Sequence, residues 1–273
     1  MRTDPRRHAR CPMIAQPDEP TTSASAPARR RILGIRVDDV TWPEALDRLE
    51  RLSAAGGGSI VVTPNPEIVM QARRNPALAA VIDAASLAPA DGVGLRWAGR
   101  LLGEPVREVV PGSDLVVRLA GRAGPVRQRW FLLGGAPGVA EAAGRALASI
   151  GPGLVIAGTY GGSPDAADDE AACRAIERAA PVDVLLVAYG APGQELWLAR
   201  NQPRLRVPLA IGVGGTFNFL AGRSRTPPTW ARRTNLIWLF RLCTEPWRWR
   251  RQLALARFAG AVLAAAARRA AAR

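Results

Sequence analysis

The residues best suited to chemistry lie in five short blocks, each just beyond an apolar run. Thr63-Pro64-Asn65-Pro66-Glu67 offers a hydroxyl and an amide that could bond a sugar hydroxyl or a nucleotide edge. The same side chains could equally cap a helix starting at Pro66. Pro89-Ala90-Asp91-Gly92-Val93-Gly94 places a carboxylate in a glycine-flanked turn. Projecting into a cleft, Asp91 could take the proton of an attacking hydroxyl; folded back in an Asx-turn, it would satisfy only its own backbone. Leu132-Leu133-Gly134-Gly135-Ala136-Pro137-Gly138 has the strand–glycine–helix order of an anion-accepting helix end, and Gly158-Thr159-Tyr160-Gly161-Gly162-Ser163 repeats it. In Tyr189-Gly190-Ala191-Pro192-Gly193-Gln194-Glu195, Gln194 could bond pyrophosphate or sugar oxygens. Glu195 could favour a helix dipole or pair with an arginine. Ile211-Gly212-Val213-Gly214-Gly215-Thr216-Phe217-Asn218 contains glycines that allow either close approach to a ligand or a tight packing turn.

Several chemistries are disfavoured. The single histidine, His8, lies in a polar leader, so a histidine-based triad or metal centre is not expected. Cys11, Cys173 and Cys243 have no short spacing, which disfavours a zinc site or disulfide framework. No compact acidic ligand pair is evident, so neither a metal nor another cofactor is expected to be required. The glycine blocks match neither a dinucleotide fingerprint nor a P-loop, which argues against a nicotinamide-dependent oxidoreductase.

The elements that must position these residues alternate. Strand-like runs fall at 60–63, 86–88, 130–133, 154–157, 184–188 and 207–213. Helix-like segments fall near 43–54, 66–84, 113–123, 138–149, 168–179 and 193–200. Thr41-Trp42-Pro43-Glu44 reads as a capping box, and Ser113 as the cap of the helix after Pro111. This alternation predicts an α/β fold with a mainly parallel sheet covered on both faces. Such sheets bind ligands beyond the carboxyl ends of their strands, where all five blocks fall.

Charge divides the chain of 273 residues into three parts. Residues 1–30 read as a disordered leader without the apolar run of a signal peptide. Residues 31–221 form the body. Residues 222–273 form an appendage with twelve arginines against one acid, dense in tryptophan between 228 and 257. From 32 to 221 eighteen arginines face nineteen acids, so the body is nearly neutral. A nucleic-acid-binding body would carry its positive charge on the folded core, so nucleic acid is not the expected partner. A non-catalytic nucleotide- or nucleic-acid-binding module using the basic end is the alternative. Tryptophan and arginine together favour the headgroup zone of an anionic membrane. The longest apolar run, 258–267, is too short to span one, which predicts peripheral attachment.

In order and spacing these blocks resemble the WecG/TagA/CpsF glycosyltransferase family. The resemblance is carried by TPNPE at 63–67, PADGVG at 89–94, PGSDL at 111–115, GAPGQELW at 190–197, GVGGTFNFLAG at 212–222 and RLCTEPWRWRR at 241–251. It implies a Rossmann-like core and a basic helical appendage at the cytoplasmic face of the membrane. It also implies inverting transfer of N-acetylmannosamine or a related sugar. The donor would be a UDP-sugar and the acceptor a sugar on undecaprenyl diphosphate, in cell-surface polysaccharide synthesis; a homo-oligomer is compatible. By the resemblance Asp91 is the general base, with Thr63 and Asn65 beside the reacting sugar. Gln194, Gly134, Gly190, Gly212, Gly214 and Gly215 would form the donor pocket, with Arg223, Arg232 and Arg233 facing the leaving diphosphate and Arg241 a further candidate. The chain departs from the family pattern at Val109 (with Arg107 close by), Gly193, Asn218, Thr226 and Ile237, which points to altered sugar or acceptor specificity.

Overall fold

The computed structural model describes residues 26–123, 127–224 and 249–272. Its centre is a five-stranded sheet in the order β3 (Ser59–Val61), β7 (Leu209–Gly212), β6 (Val184–Ala188), β4 (Gln128–Gly134), β5 (Leu154–Tyr160). All four pairings are parallel. Val61 stands opposite Ile211, Ile211 opposite Leu186, Leu186 opposite Leu132, and Leu132 opposite Thr159. The five carboxyl ends therefore share one edge, as the alternation predicts.

The strands are apolar on both faces because both are covered. Trp130 and Leu132 point into a core shared with α1 (Trp42–Ala54), α5 (Gly112–Arg122) and α6 (Val139–Ile150). The alternate residues Phe131 and Leu133 pack with α7 (Asp169–Arg178) and α8 (Gly193–Asn201) on the other face.

Beyond β3 the segment 86–89 continues the layer without forming a regular strand. Leu87 bridges Val61, and Pro89 bridges Asp38, both in parallel sense. Asp38 belongs to β2 (Ile35–Asp39), which pairs antiparallel with β1 (Ala28–Ile32). This hairpin was not foreseen from the charged sequence Ala28-Arg29-Arg30-Arg31-Ile32, and its first three residues fall within the expected leader. It is held by a buried ion pair. Arg36 donates from Nε and Nη2 to the two Asp38 carboxylate oxygens, 2.8 Å each, and from Nη1 to the carbonyls of Asp83 and Ala85 at 2.8 and 2.7 Å. Asp38 Oδ2 also accepts from the Ala88 amide at 2.8 Å. The pair thus fastens the strand-like segment that leads into Asp91.

Two further differences have local causes. The helix expected over 66–84 is two, α2 (Pro66–Ala72) and α3 (Pro76–Ala84). Pro76 cannot continue a preceding helix, and Asn75 caps the new one by accepting from Leu78 N at 3.2 Å. The stretch after Asp91, with its three glycines, is a helix rather than a loop: α4 (Val93–Leu102). Its glycines serve close packing, since a Cβ on Gly94 would lie 2.9 Å from Pro66, and one on Gly99 only 2.4 Å from the Glu104 carbonyl. Of the appendage, α10 (Trp249–Ala271) is described; it packs on α2 and α4 through Phe258 and Val262. No helix among the described residues is long and apolar enough to cross a membrane.

Candidate active site

The site is a row of loops along the carboxyl edge, in two connected groups. The first gathers around Asp91. Its amide donates to the Pro64 carbonyl at 2.8 Å, joining the exit of segment 86–89 to the exit of β3. Its carboxylate Oδ2 accepts from Gly112 N at 3.3 Å, the first residue of α5. An anion at a helix amino end is a favourable arrangement. Ser113, expected as the cap, lies inside this helix; the carboxylate reaching its first amide is that of Asp91, from another loop. Sequence reading missed this partnership because no local spacing connects residues 91 and 112.

Thr63 completes the group. It is buried, and a Cβ on Gly112 would fall 2.7 Å from its Oγ1, so only glycine lets α5 start this close. Asn65 caps α2: its Oδ1 accepts from Ile68 N at 2.9 Å. The capping role left open by the sequence is therefore filled, and its amide nitrogen is the group that remains for a ligand. Arg107, the arginine nearest to Val109, donates to Asp39 and Glu44 instead, at 2.8 to 3.3 Å and 2.6 to 3.0 Å. It holds the Glu44 carboxyl below its usual range and serves the β2–α1 junction, where Glu44 also accepts from Thr41 N as the capping box requires.

The second group gathers around Gln194, in the first turn of α8. Its Oε1 accepts from Gly214 N at 2.8 Å and Gly190 N at 3.2 Å, so one amide joins the loops leaving β6 and β7. Its Nε2 donates to Glu195 Oε1 at 2.8 Å. The side chain is only 3% exposed and stands beneath the loops rather than in their opening. Gly212 makes room for it: a Cβ there would lie 2.9 Å from Nε2. Gly190 and Gly214 take positive φ, and nothing crowds the open side of Gly190.

Glu195 is fully buried, and no arginine pairs with it among the described residues. Its Oε2 has no hydrogen-bond partner there, and burial pushes its carboxyl above the usual range.

Further along the edge, Gly134 ends β4 at positive φ, where a Cβ would meet the Ala188 backbone at 2.9 Å. The loop then turns into the amino end of α6. Arg223 reaches this turn, with Nη2 3.3 Å from the Pro137 carbonyl. Gly215 precedes α9 (Thr216–Leu220). The loop after β5 does not form the second anion-accepting end that its sequence suggested. Asp168 already takes the Ser163 amide at 2.8 Å and the Tyr160 hydroxyl at 3.1 Å. Pro164 of the same loop closes on α8, because Gly193 has no side chain: a Cβ there would lie 3.0 Å away. Arg232, Arg233, Arg241, Thr226 and Ile237 lie outside the described residues. Two surface depressions, of about 450 and 750 Å³, open at the opposite edge around Arg206 and Leu205, away from every block.

By register, Thr63 lies level with Val213 on the adjacent strand, next to the Gly214 whose amide Gln194 holds, so the two groups are neighbours along the edge. A family model described as the glycosyl transferase WecG/TagA/CpsF family matches residues 30–272. This chain is a member of that family. It is 34% identical over 207 residues to the N-acetylglucosaminyldiphosphoundecaprenol N-acetyl-beta-D-mannosaminyltransferase of Bacillus spizizenii, covering 76% of this chain and 79% of the relative. Proteins of the same description match from Bacillus subtilis, 31% identical with 76% and 79% covered, and from Staphylococcus aureus, 31% identical with 82% and 87% covered. The WecG/TagA/CpsF member described here is thus a glycosyltransferase with the expected parallel α/β body. Its Asp91–Gly112 and Gln194–Gly214 hydrogen bonds are the tertiary contacts that tie together the loops of the candidate site.

Proposed function

We propose that this glycosyltransferase moves N-acetylmannosamine or a related sugar from a UDP donor to a sugar on undecaprenyl diphosphate, with inversion. The observation that carries this reading is the placement of Asp91 beside Thr63 at the carboxyl edge, next to the glycine loops that leave β7 and β6 and are joined by Gln194. The acceptor hydroxyl attacks the anomeric carbon on the face opposite the nucleotide. The new C–O bond forms as the bond to UDP breaks. Asp91 takes the hydroxyl proton, and UDP leaves with the bonding electrons. Thr63 and the Asn65 amide nitrogen orient the reacting sugar. The amino end of α6 and Arg223 stand where a diphosphate would gain most from positive charge.

The match to relatives named for an undecaprenol-linked substrate supports a membrane-borne acceptor. Attachment would be peripheral, at the cytoplasmic face, with the arginine-rich end toward anionic lipid. Asp91→Asn tests the assignment. Asparagine keeps an oxygen for Gly112 N–H but loses the base. Turnover of a UDP-sugar with a diphospholipid acceptor should fall by about 10² to 10⁴ while the melting temperature drops by no more than about 4 °C, the loss of one charge at a helix amino end. Unchanged turnover removes Asp91 from the reaction, and nucleic-acid binding by the intact chain without sugar transfer would favour the non-catalytic reading.

A further inference from the structure

Among the described residues one apolar surface has no partner: the outer faces of α4 and α10. α4 begins directly after Asp91-Gly92 and exposes Trp97 and Leu101, 65% and 54% accessible, one helical turn apart. α10 runs beside it in the same direction. A Cβ on Gly94 would lie 3.9 Å from Phe258, and at the other end the Arg269 guanidinium donates to the Leu102 carbonyl. Phe258 and Val262 face inward, while Leu263 and Leu253, 62% and 43% accessible, face outward. From Phe258 to Ala267 no polar side chain occurs at all, so α10 is apolar on the face it buries and on the face it leaves open. A helix apolar all round ordinarily has something on both sides.

The charge around this face selects its partner. Residues 92–103 and 249–272 contain no Asp or Glu. Arg100 on α4 and Arg257 and Arg268 on α10 are exposed at the same two helices. Apolar side chains with tryptophan among them, bordered by arginine alone, match an anionic lipid headgroup layer over the first carbons of its chains.

We propose that the paired outer faces of α4 and α10, centred on Trp97 and Leu101, rest on an anionic bilayer and present Asp91 to it. The proposal rests on the lipid-linked acceptor reading but assigns the contact to the catalytic body, not only to the basic end. Because α4 starts next to Asp91 and is about 15 Å long, docking along it keeps the candidate base within one short helix of the surface where the acceptor diphosphate emerges.

The test uses the full chain and the double variant Trp97→Ser/Leu101→Ser. Sedimentation with phosphatidylcholine vesicles, with and without phosphatidylglycerol, should show wild-type binding that needs the anionic lipid. The variant should partition about tenfold or more weaker. UDP thermal shift, and transfer to a short-chain water-soluble acceptor, should be unchanged in the variant, while transfer to a long-chain acceptor in vesicles falls. Equal vesicle binding by variant and wild type overturns the inference, as does failure of wild type to bind at all. Light scattering that shows a wild-type dimer becoming a monomer in the variant, with vesicle binding retained, also overturns it, since the face would then belong to a second copy. Failure of the reaction reading would appear separately, as absence of transfer to the soluble acceptor by wild type.

Discussion

Replacing Gln194 by alanine should unfasten two loops at once. The side chain satisfies the amides of Gly190 and Gly214 and gives Glu195 Oε1 its donor. Each of these part-buried amides left unmade costs up to about 1–3 kcal/mol, and water entering the vacated space returns part of that. The net loss should be about 2–4 kcal/mol, read as a lower urea midpoint with an unchanged slope. The glycine loops would also lose their relative placement, so UDP affinity measured by calorimetry should fall with stability. Gln194→Glu is the informative companion. It keeps oxygens for both amides but puts a second acid against Glu195 with no donor between them, so its stability should drop further as pH rises. The reasoning fails if Gln194→Ala loses UDP affinity at full stability, since the amide would then touch the donor directly. A stability loss below about 1 kcal/mol would refute it as well.

Other perturbations test the supports. Arg36→Met leaves Asp38 buried with one donor, the Ala88 amide, and should cost about 3–5 kcal/mol in urea denaturation; adding Asp38→Asn should recover part of it. Glu195 has its folded-state carboxyl raised by burial, so the native state holds a proton that the unfolded chain releases above about pH 4.3. Its contribution is therefore fully present below that pH and lost as pH rises through the folded value. Glu195→Gln should remove this loss, so its urea midpoint should gain on wild type between pH 5 and pH 8; an equal offset at both would show that Glu195 does not titrate with folding.

The alternation of strands and helices was legible because each is a local period, and the loops after 133, 188 and 212 could be assigned to one edge from parallel order alone. The family resemblance was legible for a related reason: it rests on short blocks in fixed order. The hairpin at 28–39 was not legible, since its charged residues find partners some fifty positions away: Arg31 with Asp83, Arg36 with the carbonyls at 83 and 85, and Asp38 with the Ala88 amide. Nor was α4, whose glycines read as turn residues until Pro66 and Glu104 are seen packed against them.

At the site the division is the same. Residue types alone single out Asp91, Thr63 and Gln194, because a carboxylate, a hydroxyl and an amide beside glycines are rare enough to notice. Which atom each one touches was settled only by folding. Asp91 meets Gly112 across twenty-one positions, Gln194 turns inward to hold Gly190 and Gly214, and Glu195, left open between a helix dipole and an arginine, accepts from Gln194 and meets no arginine among the described residues. Hydrogen bonds between loops depend on where neighbouring strands end, and strand order is a property of the packed sheet that no local stretch of sequence contains.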